Sequence, residues 1–61
     1  FSDREWDALK LICQGYATKH IAYNLHLSIN TVEDYRKSLL KKTSTKNTAE
    51  LVDYAHRNGL V

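Results

Sequence analysis

No proline interrupts this 61-residue chain, and only two glycines, Gly15 and Gly59, loosen it. Alternation of apolar and polar positions is nowhere sustained, so strands find no support, while a period of 3.6 recurs and argues for helices. A single cysteine, Cys13, excludes an internal disulfide and fits a reducing compartment. No apolar run is long enough to span a bilayer, and none of the residues reads as a secretory signal. Cytoplasm without membrane contact is the expected setting. Long polar runs are also missing, and 43% apolar content is that of a globular domain, not of a disordered tract. At 61 residues the chain is one domain, residues 1–61, of marginal stability, since so small a chain buries only about 60% of its unfolded surface. It opens at a helix cap, which reads as a piece of a longer protein.

The residues of catalysis are equally thin. His20, His26 and His56 are the three histidines, and they are scattered. His20 and His26 stand six positions apart, about 240° around a helix, so they share no face. Cys13 has no base near it in sequence, no metal-ligand spacing is present, and no glycine-rich loop offers to cradle phosphate. The expectation is a protein that is not an enzyme and takes no cofactor or metal.

What the chain does have is an uneven charge. Residues 1–15 carry Asp3, Arg4, Glu5, Asp7 and Lys10, net −1, and residues 48–61 carry Glu50, Asp53 and Arg57, net −1. Between them, Lys19, Arg36, Lys37, Lys41, Lys42 and Lys46 stand against Glu33 and Asp34, net +4. A positive middle between negative ends suits an anionic partner, although a solvated helix face explains the same lysines.

Caps and periodicity divide the chain into four helices, expected at about 3–14, 19–25, 29–42 and 48–58, an all-α four-helix bundle. Ser2 and Glu5 have capping-box spacing, Phe1 and Trp6 the spacing of a hydrophobic staple, and Gly15 ends the first helix left-handed. Thr18 is expected to cap the second helix, whose buried side is Ile21, Ala22 and Leu25. Ser28 caps the third, with Leu27 and Val32 as a second staple. In that helix Val32, Leu39 and Thr43 face inward, flanked by Ile29, Tyr35, Arg36 and Leu40, while Asn30, Glu33, Asp34, Lys37 and Lys41 face outward. Arg36, so close to the apolar stripe, must snorkel or find a carboxylate. Asn47 and Glu50 repeat the cap spacing before the fourth helix, where Leu51, Val52 and Ala55 face inward.

A short helix, a tight turn through His26 and Leu27, and a longer helix with a lysine-bearing outer face form a helix-turn-helix. In that geometry the second helix enters the major groove and the first crosses the backbone. Side chains that reach base edges project from the outer face near its start: Asn30, Glu33, Asp34 and Lys37. Lysine suits guanine acceptors, a carboxylate accepts from the cytosine amino group, and asparagine pairs with adenine. Glu33 and Asp34 have a second explanation, since acids near a helix start also suit the macrodipole. Phosphate contacts fall to Thr18, Lys19, Ser28 and Thr31 at the helix starts, with Lys41, Lys42 and Lys46 extending the basic rim. One copy makes few contacts, so two copies on two half-sites are expected.

Phe1-Ser2-Asp3-Arg4-Glu5, Leu11-Ile12-Cys13-Gln14-Gly15, Lys19-His20-Ile21-Ala22, Leu27-Ser28, Thr31-Val32 and Leu39-Leu40-Lys41-Lys42 together resemble the LuxR-type helix-turn-helix family. So do Lys46-Asn47-Thr48-Ala49-Glu50, Tyr54-Ala55 and Gly59-Leu60-Val61, and the resemblance covers the whole chain. It implies a four-helix output domain at the C-terminus of a response regulator or quorum-sensing regulator. It places the groove-reading positions on Glu33, Asp34 and Lys37, and the backbone-contacting positions on or near Thr18, Lys19, Ser28, Thr31 and Lys41. It also implies a homodimer contact through the last helix and admits RNA polymerase as a partner. Three residues depart from the family's habit: His20 for glutamate, Tyr35 for histidine, and Thr43 for leucine. Thr43 is expected to loosen the end of the third helix.

The rival reading is a helical protein-interaction module of sigma-factor-like or adaptor type. Its surface would be an aromatic patch of Trp6, Tyr16, Tyr23 and Tyr54, unless those rings fill or flank the core. Salt separates the two, because DNA binding weakens steeply as salt rises and an apolar interface does not.

Overall fold

The computed structural model describes residues 1–61 and contains four helices and no strand: α1 Asp3–Cys13, α2 Thr18–Leu25, α3 Ile29–Thr43 and α4 Thr48–Arg57. The expected bounds hold to within one residue. α1 and α4 each stop one residue earlier, at Cys13 and Arg57, because Gln14 and Asn58 are their C-caps. α3 runs one residue further, to Thr43.

Three of the four starts follow their local sequence. The Ser2 hydroxyl accepts from the Glu5 amide at 3.2 Å while the Glu5 carboxylate accepts from the Ser2 amide at 2.9 Å, a complete capping box. The Phe1 and Trp6 rings meet edge to face with centroids 5.1 Å apart. Ser28 accepts from the Thr31 amide at 3.1 Å, and Asn47 from the Glu50 amide at 2.9 Å. The Glu50 carboxylate accepts from the Lys46 amide at 2.9 Å, one residue upstream of the usual box partner.

The fourth start is a correction. Ala17, not Thr18, is the N-cap of α2, and no side chain caps that helix. Ala17 takes the extended backbone conformation and its carbonyl accepts from the Ile21 amide at 3.0 Å, so the helix is already under way at Thr18. The Thr18 hydroxyl is thereby released to reach another helix.

All four helices close alike. The amides of Tyr16, Leu27, Thr45 and Leu60 reach back to the carbonyls of Leu11, Ala22, Leu40 and Ala55 at 2.8–3.1 Å, which is the Schellman arrangement. It requires a left-handed residue at each exit: Gly15 (φ 89°), His26 (φ 57°), Ser44 (φ 56°) and Gly59 (φ 67°). Glycine adopts this conformation freely, whereas His26 and Ser44 hold it against their own Cβ atoms.

The closed ends aim four apolar stripes at one point. Ala8, Leu9 and Ile12 of α1, Ile21 and Ala22 of α2, Val32 and Leu39 of α3, and Leu51 and Ala55 of α4 form the core. Trp6, Leu11, Cys13, Leu25, Leu27, Tyr35, Leu40, Val52 and Leu60 lie against it, half-buried. Burial pushes the Cys13 thiol up, which disfavours the thiolate. α3 touches every other helix, while α2 and α4 do not meet.

Thr43 does not loosen α3. It is buried, and its hydroxyl donates to the Leu39 carbonyl at 2.8 Å and lies 2.8 Å from the Thr45 hydroxyl, so a polar side chain is satisfied where leucine would simply fill space. Ile29 is also unlike its expected place, being 53% exposed at the start of α3 rather than flanking the apolar stripe. The aromatic patch that the rival reading requires does not gather. Phe1 and Trp6 are the one ring pair, Trp6 is packed on the core, and Tyr23 stands 84% exposed on α2.

Candidate nucleic-acid interface

α2 and α3 meet at the left-handed turn through His26, which sets the two helices across each other with Ile21, Ala22 and Val32 buried between them. With its inner face so fixed, α3 turns the opposite face outward. Asn30, Asp34, Lys37 and Lys41 succeed one another at spacings of four, three and four residues and are all exposed. On a helix these positions fall within an arc of about 60° along roughly 16 Å of axis. None of Asp34, Lys37 and Lys41 is held in an ion pair, the protein's three being Arg36–Glu33, Lys42–Glu5 and Arg57–Asp53.

Glu33 lies at the edge of that arc and is engaged on both oxygens. One accepts from Arg36, one turn along the helix, and the other accepts from the Thr18 hydroxyl of α2 at 3.2 Å. The Arg36 guanidinium above all, with a smaller share from Thr18 and Lys37, holds the Glu33 carboxyl below its ordinary range, against a lesser desolvation effect. Arg36 thus has the carboxylate its sequence position demanded. The cluster joins the starts of the two helices that face the same side.

The remaining polar positions fall into three places. Ser28 and Thr31 are at the start of α3, their hydroxyls 2.9 Å apart. Thr18 and Lys19 are at the start of α2, where Lys19 is exposed. Lys46 is exposed in the segment between α3 and α4. Lys42 stands apart from these, because its ammonium is 2.8 Å from the Glu5 carboxylate and only half of its side chain remains exposed.

Glu5 is the residue that sequence reasoning undervalued. Beyond its part in the capping box it is 4% exposed, and it accepts from the Ser38 hydroxyl at 2.6 Å as well as from Lys42. Lys42 first, then the Ser2 amide and the Ser38 hydroxyl, hold its carboxyl at about 2, far below the ordinary 4.5, with burial opposing. α1 is therefore bolted to the later half of α3 by a satisfied, buried charge. The partners lie 33 and 37 positions away, so no local spacing could announce them.

Comparison with known proteins agrees with this architecture. Residues 1–55 match the family described as bacterial regulatory proteins, luxR family. A protein of Cyanophora paradoxa named "Probable transcriptional regulator ycf29" is 48% identical over the whole chain, which covers 29% of that protein. The oxygen regulatory protein NreC of Staphylococcus carnosus is 40% identical over 98% of the chain, which covers 28% of NreC. A protein of Bordetella pertussis named "Virulence factors putative positive transcription regulator BvgA" is 42% identical over 97% of the chain, again covering 28% of the relative. The chain thus spans under a third of the length of the curated relatives it matches. No helix is long and apolar enough to cross a membrane. With a helix-turn-helix at its centre and a family match over residues 1–55, the chain belongs to the luxR family of bacterial regulatory proteins, whose work is DNA-binding transcription regulation and not catalysis.

Proposed function

We propose that α3 lies in the major groove of double-stranded DNA and reads it through Asn30, Asp34 and Lys37, with Glu33 at the margin of the same face. The observation that carries this reading is the exposed arc of Asn30, Asp34, Lys37 and Lys41 on the helix that every other helix supports. A groove-reading helix needs a polar outer face and a rigid inner one, and α3 has both. Phosphate contacts are assigned to Thr18, Lys19, Ser28, Thr31, Lys41 and Lys46, all on the surface or at helix starts. Lys42 would contribute long-range charge more than a contact, because Glu5 already holds its ammonium.

The 61 residues are read as the C-terminal output domain of a longer cytoplasmic response regulator, with a regulatory domain upstream. The relatives' greater length supports this. Specific binding then takes a homodimer on two half-sites, with α4 as the contact. Support comes from the exposed Ala49, Asp53 and His56 on that helix, away from its buried Leu51 and Ala55. RNA polymerase is the further partner such a regulator would address.

An NMR titration of the labelled chain with a generic duplex at low and then high salt tests the reading. Shifts centred on Thr18, Lys19, Ser28, Thr31, Lys37 and Lys41 that fade with salt are expected. A folded chain whose spectrum ignores DNA even at low salt would sink it in favour of a protein-interaction module.

A further inference from the structure

Resting on the groove reading above, we infer that Glu33 is a positioning residue and not a base reader: it raises specificity by withholding Arg36 from the DNA backbone. Three observations meet here. Both carboxylate oxygens of Glu33 have partners within the protein, Arg36 on one and Thr18 on the other. A base reader needs an oxygen free to accept from a cytosine amino group, and these two are directed along and between helices. Arg36 is the only arginine of α2 and α3, and its side chain is still 34% exposed, so its guanidinium sits at the surface with its charge answered. Asp34, one residue further along, is exposed and in no ion pair, which leaves one free carboxylate on the groove face instead of two.

The consequence lies in the balance of two kinds of binding. A guanidinium is the preferred partner of phosphate oxygens, and each phosphate contact adds affinity for any duplex without regard to sequence. With Glu33 in place, Arg36 stays on its carboxylate and the α2–α3 junction gains no generic phosphate contact. The Thr18 hydroxyl donates to the other oxygen of the carboxylate at 3.2 Å and so favours the same placement of Glu33. Glu33 lowers indiscriminate binding and leaves the sequence-reading arc of Asn30, Asp34 and Lys37 to set the choice.

The test compares the parent chain with Glu33→Gln and with the double variant Glu33→Gln/Arg36→Gln, each checked for folding by circular dichroism. Binding is measured to a random-sequence duplex across a salt series and to a duplex pool randomised over the site. For Glu33→Gln, binding to the random duplex should strengthen, with the log–log salt slope steeper by about 0.9, or roughly 3–4-fold more affinity lost between 50 and 200 mM salt. The preferred base at each position of the pool should stay the same, and the double variant should return to the parent slope. An altered base preference at one position would make Glu33 a reader and overturn the inference. So would an unchanged slope, with the parent chain's DNA binding still standing. A parent chain that binds no duplex would remove the groove reading itself and this inference with it.

Discussion

Glu5 shows how one side chain serves three neighbours. Its carboxylate takes the Ser2 amide, the Ser38 hydroxyl and the Lys42 ammonium, and in exchange loses nearly all contact with water. A carboxyl held at about 2 in the folded chain and near 4.5 when unfolded stabilises the fold in full once it is ionised in both states. That stabilisation is complete above about pH 4.5 and is lost as pH falls toward 2. Urea unfolding followed at pH 7 and pH 3 should show the midpoint dropping for the parent chain. Glu5→Gln, which keeps the cap spacing but not the charge, should be about 2–3 kcal/mol less stable at pH 7 and much less sensitive to pH over that window. A variant as stable as the parent at pH 7 would mean that Lys42 is free in solution. On the opposite side of α3 the question is recognition. Lys37→Ala should weaken binding to the true operator by roughly 1–3 kcal/mol and relax the choice of base beneath it, whereas Lys41→Ala should weaken all duplexes alike and lower the salt slope by about one. Competition binding against matched and mismatched duplexes separates the two outcomes.

Each helix is delimited by a few backbone and side-chain hydrogen bonds, and those are the features that local sequence carries best. Ser2, Ser28 and Asn47 cap because their oxygens sit three residues before an amide that needs them, a relation visible in any sequence. Thr18 misled because a hydroxyl's nearest local amide was not its best partner. Glu33 lies 15 positions away and becomes adjacent only when α2 and α3 cross. The outer arc of α3 followed from periodicity alone, but the engagement of Glu33 and of Lys42 did not, since each depends on how helices meet. At the exits, Gly15 and Gly59 were legible as left-handed positions and His26 as part of a tight turn, while Ser44 was not, since a serine carries no preference for that conformation. Ser44 is exposed and its hydroxyl has no partner, so the side chain contributes strain and nothing else. Ser44→Gly should stabilise the chain by about 0.5–1 kcal/mol, raising the melting temperature by roughly 2–8 °C. Gly15→Ala, at φ 89° with open space around the added carbon, should lower it by a similar amount through the backbone alone. Thermal unfolding by circular dichroism measures both, and a Ser44→Gly chain no more stable than the parent would show that the exit of α3 relaxes at no cost.

The whole molecule is an arrangement around α3. That helix buries Val32 and Leu39 among residues of all three others, presents its outer face to solvent, and is anchored at its far end by Glu5. Stability and recognition therefore share one element, with opposite faces committed to each. For a chain of 61 residues the total free energy of unfolding is only about 3–9 kcal/mol. Leu39 is fully buried at the centre of the core. Leu39→Ala removes three heavy atoms and leaves a cavity in the core on the inner face of α3, at about 2–5 kcal/mol. Against so small a total, that loss unfolds a large fraction of the chain at room temperature rather than loosening one corner. The expected result is a single cooperative transition moved to much lower urea, with loss of helical ellipticity and loss of duplex binding in proportion. The proportionality decides the matter. If Leu39→Ala kept its helices and its stability but lost DNA binding, the inner face of α3 would be serving recognition directly. If binding fell only as the folded fraction fell, the inner face would be holding the outer one in place. Addition of excess duplex distinguishes the two cases, because a ligand that binds only the folded chain restores helicity by mass action in the second case and has no helicity to restore in the first.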